Sequence, residues 1–284
     1  MRGQATPLTT NPPDQNLPPI QRLIAVMARL RDPDGGCPWD LEQSFETIAP
    51  YTIEEAYEVA EAIRSGDREA LKDELGDLLF QVVYYAQMSC EDGGFDFDAI
   101  AAHEVDKMIR RHPHVFGNVD VADAAAQTRN WEAQKAVERV AKGKTGGPPP
   151  SVLDGVARAL PALIRAEKLT KRAARIGFDW PTVAEVIAKI EEELAETVHE
   201  IAQDAPRERL GDEIGDLLFA VANLARKLDI DPEAALRGTN DKFVRRFHHI
   251  EAELRARGKT PADSDLAEMD ALWNAAKDGE KETP

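Results

Sequence analysis

Two short acidic segments, Glu54-Glu55-Ala56-Tyr57-Glu58 and Asp73-Glu74-Leu75-Gly76-Asp77, stand in the first half of the chain. They recur in the second half as Glu192-Glu193-Leu194-Ala195-Glu196 and Asp212-Glu213-Ile214-Gly215-Asp216. Residues i, i+3 and i+4 of an α-helix lie on one face, so each segment places two acids on the same side of a helix. The repetition of this spacing predicts an all-α protein, built as a tandem repeat of two similar helical-bundle domains.

Helical periodicity extends outward from both copies. We predict helices from residue 20 to the Asp32–Gly36 break and over 68–87, 97–111, 131–140, 156–175, 183–202, 208–228, 232–257 and 266–277. The first acidic helix is expected to begin at Thr52 as its N-cap and to end at Ser65. A loop is predicted for residues 37–40.

The clearest boundary is the Gly- and Pro-rich stretch 142–150, which predicts a linker. It separates an N-terminal helical domain, 20–141, from a C-terminal one, 151–278. Residues 1–19 contain five prolines and no apolar core of a signal peptide. They are therefore predicted to be a disordered lead-in.

Charge and composition narrow the class of function. The 284 residues carry a formal net charge of −17 and a pI of about 4.8, which argues against nucleic acid or an anionic membrane as partner. No apolar run is long enough for a membrane span. Cys37 and Cys90 form no disulfide framework and no zinc spacing, which fits a reducing cytoplasm.

The repeated acids predict a metal site. If the two acidic helices of each half pack antiparallel, four carboxylates converge and raise each other's pKa unless a cation neutralises them. An all-oxygen ligand set favours Mg²⁺ or Mn²⁺. The predicted ligands in the second half are Glu193, Glu196, Glu213 and Asp216. The corresponding residues in the first half are Glu55, Glu58, Glu74 and Asp77.

Two other interpretations of the acids remain open. One is an ordinary solvated helix face. The other is a di-iron bundle site, which requires a Glu-x-x-His motif on each of two helices. Glu196 and His199 form that motif once, whereas the first half has Glu58 and Glu61, so His199 is interpreted as incidental.

A basic pattern, Asp-Lys-x-x-Arg-Arg, follows each acidic pair at 106–111 and 241–246. Lys242 and Arg246 share a helix face and could clamp phosphate oxygens beside a metal, or form salt bridges with the abundant acids. A Trp and a Lys four residues apart also recur, at 131 and 135 and at 273 and 277. This Trp belongs either to the core or to a lid on a base. Because no P-loop or GxGxxG is found, phosphate binding would depend on the metal.

Four motifs together resemble the MazG nucleoside triphosphate pyrophosphohydrolases, specifically the two-domain bacterial form, from Ile20 to Lys277. They are the repeated acidic signature, Cys37-Pro38-Trp39-Asp40, Arg111-His112-Pro113-His114-Val115-Phe116 and Gly177-Phe178-Asp179-Trp180. The resemblance implies an all-α, Mg²⁺-dependent enzyme, usually a homodimer. Such enzymes cleave nucleoside triphosphates between the α- and β-phosphates to a monophosphate and pyrophosphate, and so remove aberrant or excess nucleotides.

The resemblance also implies roles for individual residues. The four acids named above in the second half would be the metal ligands, and Glu192 would orient or deprotonate the attacking water. The residues implied to contact the triphosphate are Lys189, Lys242, Arg245 and Arg246. Trp273 and Lys277 would close over the substrate.

The two copies differ in their basic residues. Tyr51 in the first half takes the place of Lys189, and Pro113 cuts short the helix that carries Arg111. The C-terminal half is therefore predicted to be the main catalyst, and the N-terminal half to be weakly active, regulatory or a dimerisation platform.

Two alternatives to a pyrophosphohydrolase of broad base tolerance remain open. The substrate could be narrower, dUTP/dCTP or phosphoribosyl-ATP, which relatives of this fold use. The chain could also be a non-catalytic acidic scaffold that binds metal or a partner protein. The repeated Lys-x-x-Arg-Arg pattern argues against the scaffold, because a cation trap needs no clamp for anions.

Overall fold

The computed structural model describes residues 14–119 and 151–282, together with residues 123, 126–127, 130–131, 133–135 and 138. The secondary structure of these residues is helical and contains no strand. The chain divides into two compact units, Met1–Gln134 and Lys135–Pro284. The predicted all-α architecture is confirmed, and each unit contains one copy of the acidic helix pair.

The first unit is organised around its two longest helices. Its described helices are α1 (Pro19–Leu30), α2 (Pro38–Glu42), α3 (Phe45–Ser65), α4 (Arg68–Glu91), α5 (Phe97–Arg111) and α6 (Pro113–Phe116). Helix α3 packs along α4, and α1 and α5 also contact α4. The buried core consists of Met27, Ile48, Val83, Tyr84 and Met88. This packing holds the acidic faces of α3 and α4 next to each other.

The second unit repeats this plan. Its described helices are α7 (Ala162–Ala174), α8 (Val183–Ala202), α9 (Arg207–Lys227), α10 (Pro232–Ala256) and α11 (Leu266–Glu282), with a 3₁₀ turn at Pro261–Asp263. Helix α8 packs along α9, α7 contacts both α9 and α10, and α10 packs on α11. A buried cluster of Ile250, Leu254 and Leu272 joins α10 to α11.

The predicted start of the first acidic helix is wrong. Helix α3 begins at Phe45, and its N-cap is Ser44, whose hydroxyl accepts a hydrogen bond from the Thr47 backbone N–H. The Thr47 hydroxyl in turn accepts from the Ser44 N–H at 2.8 Å. This reciprocal pair caps the helix six residues before Pro50. Thr52 lies inside α3, where its hydroxyl contacts the Tyr85 hydroxyl at 2.8 Å.

Prolines account for two further differences. The segment predicted as a loop at 37–40 enters a short helix at Pro38, because the fixed φ of proline suits the first helical position. Helix α7 begins at Ala162, later than the predicted residue 156, because Pro161 disfavours helical conformation in the residue before it. The predicted linker, 142–150, and residues 1–13 of the predicted lead-in lie outside the described residues. Half of the residues of the helix predicted for 131–140 also lie outside the described residues.

The other predicted helices agree closely with the structure. Helices α5 and α8 have the predicted limits, whereas α11 continues to Glu282, beyond the predicted end at Lys277. Within the described part of the chain, none of the helices combines the length and apolarity needed to cross a bilayer.

Glu268 on α11 is expected to make the stability of the second unit depend on pH. Lys259, Ser264 and Arg257 contact its carboxylate at 2.8, 2.8 and 3.1 Å, and they lower its pKa from 4.5 to about 2. Because the folded-state pKa is depressed, the stabilisation is complete above about pH 4.5 and is lost as the pH falls towards 2.

Glu268→Gln should therefore lower the urea midpoint at pH 7 by a small amount. The difference from the unmodified protein should shrink between pH 4.5 and 2. Asp270→Asn, an exposed change of equal charge on the same helix, is the control. A difference that stayed constant with pH would contradict an ionic contribution from Glu268.

Candidate functional site

Helices α8 and α9 place the predicted metal ligands of the second unit. Thr182 and Glu185 cap α8 reciprocally, with hydrogen bonds of 3.1 and 3.3 Å between side chain and backbone. The short connection 203–206 returns the chain, so α8 and α9 pack side by side. The acids of both helices consequently face one another in the middle of this pair.

Three carboxylates of the second unit lie close enough to share one cation. Glu193, Glu213 and Asp216 each offer an oxygen within 4.8 Å of the others. Glu193 is buried, with 5% of its surface exposed. Burial raises the pKa of Glu213, and the charge of Glu196 raises it further, while Arg209 lowers it. Such a group of carboxylates gains from a bound cation, because the cation removes their mutual repulsion.

The fourth predicted ligand, Glu196, lies outside this group of three. It lines a cleft of about 410 Å³ together with Glu192, His199, Glu200, Arg209 and Glu213. Glu196 is near enough to Glu213 to shift its pKa. The structure thus brings three predicted ligands together and places Glu196 beside them, at the wall of an open cleft.

The first unit contains an equivalent cluster on α3 and α4. Glu55, Glu58 and Glu74 each offer an oxygen within 4.8 Å of the others. Burial raises the pKa values of Glu55 and Glu74, and Asp77 contributes to both shifts through its charge. In this unit, Asp77 is the predicted ligand that lies outside the group of three. Carboxylate chemistry and spacing therefore suit a hard divalent cation in both units.

Lys189 distinguishes the second cluster from the first. Its ammonium group lies 2.9 Å from Glu192 and 2.8 Å from Glu193, and both contacts raise the pKa of Lys189. In the first unit the equivalent residue is Tyr51, which is partly exposed and makes an edge contact with the Trp39 ring. The second cluster therefore has a positively charged side chain beside it, because Lys189 lies one turn before Glu193 on the same helix.

Apart from Lys189 on α8, the residues predicted to bind the triphosphate or to close over it lie on α10 and α11. The Arg246 guanidinium stacks over the Trp273 ring at 5.3 Å, and Phe243 packs against the same ring at 5.2 Å. Lys242 lies one turn before Arg246, and Lys277 one turn after Trp273. The structure therefore brings Arg246 and Trp273 into direct contact, as parts of one basic and aromatic surface.

Two residues at the site were missed from the sequence. Arg209 lines the cleft, forms an ion pair with Glu200 and lies 3.9 Å from Glu213. Glu280 forms an ion pair with Arg246 at 2.6 Å. Arg209 could have been found because it stands four residues before Glu213 on one helix face. Glu280 stands two turns after Trp273, so its spacing places it on the same helix face as the Trp but does not identify Arg246 as its partner.

Comparison with known proteins agrees with this geometry. A model of the MazG nucleotide pyrophosphohydrolase domain matches the chain twice, at residues 43–116 and 182–251. Each matched segment contains one carboxylate cluster. The chain belongs to the MazG family. The two matches also confirm that the all-α chain is a tandem repeat of MazG domains.

Two of the relatives match this chain over nearly their whole length, and a third matches it over about half of its own length. A "Nucleoside triphosphate pyrophosphohydrolase" of Escherichia coli K12 is 48% identical over 91% of this chain and 97% of its own. The "Nucleoside triphosphate pyrophosphohydrolase/pyrophosphatase MazG" of Thermotoga maritima is 40% identical over 92% of this chain and 97% of its own. "Uncharacterized protein YabN" of Bacillus subtilis is 42% identical over 90% of this chain, but over only 51% of its own length.

Proposed function

We propose that this MazG protein is a Mg²⁺-dependent nucleoside triphosphate pyrophosphohydrolase. It cleaves ribo- and deoxyribonucleoside triphosphates between the α- and β-phosphates, giving a nucleoside monophosphate and pyrophosphate. The observation that carries the proposal is the carboxylate cluster of Glu193, Glu213 and Asp216 inside a segment matched by the MazG domain. The names of the relatives that match over nearly their whole length support the same reaction. The role we infer is removal of aberrant or excess nucleotides.

Glu193, Glu196, Glu213 and Asp216 would hold the ion. The donor set consists only of carboxylate oxygens, which suits Mg²⁺, with Mn²⁺ as a substitute. A bound divalent ion supplies positive charge to offset the negative charge of the reacting phosphates. Glu55, Glu58, Glu74 and Asp77 would hold a second ion in the first unit.

The protein's own residues would position the reactants. Glu192, which is one of the residues that line the cleft, would accept a hydrogen bond from the attacking water, orient it and take its proton. Lys189, Lys242, Arg245 and Arg246 would bind the phosphate oxygens. Trp273 and Lys277 would cover the substrate and exclude bulk water.

The C-terminal unit is proposed as the principal catalyst. Lys189 lies beside its carboxylate cluster, whereas the first unit has Tyr51 at that place. Arg111 is followed directly by His112 and by the short helix that begins at Pro113, whereas α10 continues for ten residues beyond Arg246. The first unit consequently has a metal cluster with a poorer set of phosphate-binding cations.

A homodimer is proposed because α8 and α9 expose apolar side chains at helical spacing. They are Ile187, Leu194, Val198 and Ile201 on α8, and Ile214, Leu218 and Val221 on α9. Stripes of this kind are typical of helix faces that pack on another copy. Sedimentation equilibrium tests the proposal, and a monomer at micromolar concentration would contradict it. The free cysteines, Cys37 and Cys90, suit a cytoplasmic enzyme.

Product analysis by anion exchange tests the reaction. The protein is incubated with Mg²⁺ and each common ribo- and deoxyribonucleoside triphosphate, in water enriched in ¹⁸O. Monophosphate and pyrophosphate in equal amounts are expected, and the product that carries ¹⁸O identifies the phosphorus attacked by water. Diphosphate and phosphate would overturn the proposal. Turnover confined to dUTP and dCTP, or to phosphoribosyl-ATP, would identify a narrower enzyme, and no turnover would favour a metal-binding scaffold.

Lys189→Met is expected to tighten Mn²⁺ binding by about 5- to 10-fold in the absence of nucleotide, since an incoming cation no longer competes with the ammonium group for Glu193. Electron paramagnetic resonance of free Mn²⁺ measures the affinity. Glu55→Gln and Glu58→Gln are introduced into both the unmodified protein and the Lys189→Met variant, so that the titration reports only the second cluster.

Lys171→Met removes the same charge from an exposed helix position 4.0 Å from Glu167, and it should leave Mn²⁺ affinity within twofold. Weaker Mn²⁺ binding by Lys189→Met would show that the lysine organises the cluster and does not compete for it.

A further inference from the structure

The phosphate-binding arginines of the second unit already hold an anion from the same chain. Glu280, in the last turn of α11, accepts hydrogen bonds from Nε and Nη2 of Arg246 at 3.0 and 2.6 Å. Its second oxygen lies 3.5 Å from Arg245. Both arginines lower the pKa of Glu280, so this carboxylate is ionised at neutral pH. One acid thus bridges two cations that are proposed to bind the triphosphate.

The Arg246 side chain, which binds Glu280, is held in place by an aromatic ring. Arg246 is 14% exposed, and its guanidinium lies over the Trp273 ring. Trp273 in turn packs against Phe243. The edge of the guanidinium that carries Nε and Nη2 is therefore aimed at the place where Glu280 lies. A guanidinium binds carboxylate and phosphate through the same planar pair of N–H groups, so a phosphate could take this place without a new arginine conformation.

The spacing that places Glu280 occurs in both units. Trp273, Lys277 and Glu280 follow one another at intervals of four and three residues. Trp131, Lys135 and Glu138 have the same intervals in the first unit. On α11 these intervals put the ring and the carboxylate on one helix face. The acid thus recurs together with the Trp and Lys that are proposed to cover the substrate.

We propose that Glu280 is an internal substitute for a substrate phosphate, which the triphosphate must displace from Arg246 and Arg245 in order to bind. The proposal rests on the function proposed above for the second unit. Glu280 thereby determines affinity, because part of the phosphate–arginine interaction is used to break an existing ion pair. Displacement is easy in structural terms, since Glu280 lies two residues before the end of α11 and helix ends open readily.

The test compares Glu280→Gln with Asp270→Asn. Both variants remove one negative charge from α11, but Asp270 is exposed, and within the described part of the chain its carboxylate accepts one side-chain hydrogen bond, from Asn274 at 3.1 Å. Two quantities are measured for each: the KM for a nucleoside triphosphate with Mg²⁺, and the Kd of inorganic triphosphate without metal by isothermal titration calorimetry. The second quantity does not require catalysis.

Glu280→Gln is expected to lower both KM and Kd by about 3- to 10-fold with kcat unchanged, and Asp270→Asn to change either by less than twofold. An unchanged or raised Kd and KM in Glu280→Gln would overturn the proposal and leave Glu280 as a residue that only positions Arg246. If no variant turns over any nucleotide but Glu280→Gln still binds inorganic triphosphate more tightly, the proposed function is wrong. The proposal that a polyphosphate displaces Glu280 from the arginines would still be supported. Equal effects of both variants would indicate general charge reduction and would also overturn it.

Discussion

Glu213→Gln is expected to lower kcat for nucleoside triphosphate hydrolysis by at least about 100-fold, equivalent to about 2.7 kcal/mol of transition-state stabilisation. Glu213 lies in the carboxylate group with Glu193 and Asp216 and also lines the open cleft. It is the member of that group that faces both the proposed ion and the proposed substrate. Glutamine keeps the size of the side chain but offers a neutral oxygen, so it binds a divalent cation far more weakly.

The matched control for this change is Glu74→Gln. Glu74 occupies the equivalent position of the repeat, in the cluster of the first unit, and its replacement removes the same charge. If the C-terminal unit is the principal catalyst, Glu74→Gln retains at least half of the activity. Steady-state kinetics at saturating Mg²⁺ measures both variants, with circular dichroism to show that each is folded.

Other outcomes have distinct meanings. Loss of activity in both variants would show that the two clusters act together. Loss in Glu74→Gln alone would reverse the assignment of the catalytic unit. Full activity in Glu213→Gln would remove this cluster from the reaction, and the function proposed for the second unit would then fail.

Leu254→Ala is expected to lower the free energy of unfolding of the second unit by about 2–5 kcal/mol. Leu254 is 0% exposed and packs with Ile250 and Leu272 where α10 meets α11. Removing its branched end leaves a cavity that rigid helices fill only in part. The same contact holds Arg246 against Trp273, so the variant is also expected to weaken substrate binding.

Leu266→Ala is the control, because it makes the same Leu-to-Ala substitution at a solvent-exposed position. Leu266, at the start of α11, is 79% exposed, and its replacement should change stability by less than about 0.5 kcal/mol. Urea denaturation followed by circular dichroism and tryptophan fluorescence measures both variants. Since a chain of two units need not unfold in one step, the midpoints of individual transitions are compared. Equal midpoints for the two variants would contradict a core role for Leu254.

Helix positions and the candidate metal residues were largely predictable from local patterns. Apolar periodicity located α5 and α8 to the residue, and the repeated acids identified both carboxylate clusters. These features depend on residues three and four apart, which become neighbours as soon as the chain is helical. The wrong start of α3 has the same local origin. Ser44 and Thr47 provide a stronger cap than Thr52, and the helix continues through Pro50.

The partners of the basic residues depended on packing. With 35 Lys and Arg and 52 Asp and Glu residues in the chain, charge alone does not identify which acid meets which base. Arg246 meets Glu280 because α10 and α11 pack at a particular rotation and offset about the Ile250, Leu254 and Leu272 cluster. The packing of α8 on α9 likewise selects Glu193, Glu213 and Asp216 and leaves Glu196 at the edge. Periodicity assigns a residue to a helix face, but the rotation and offset between two faces arise only when their side chains interlock.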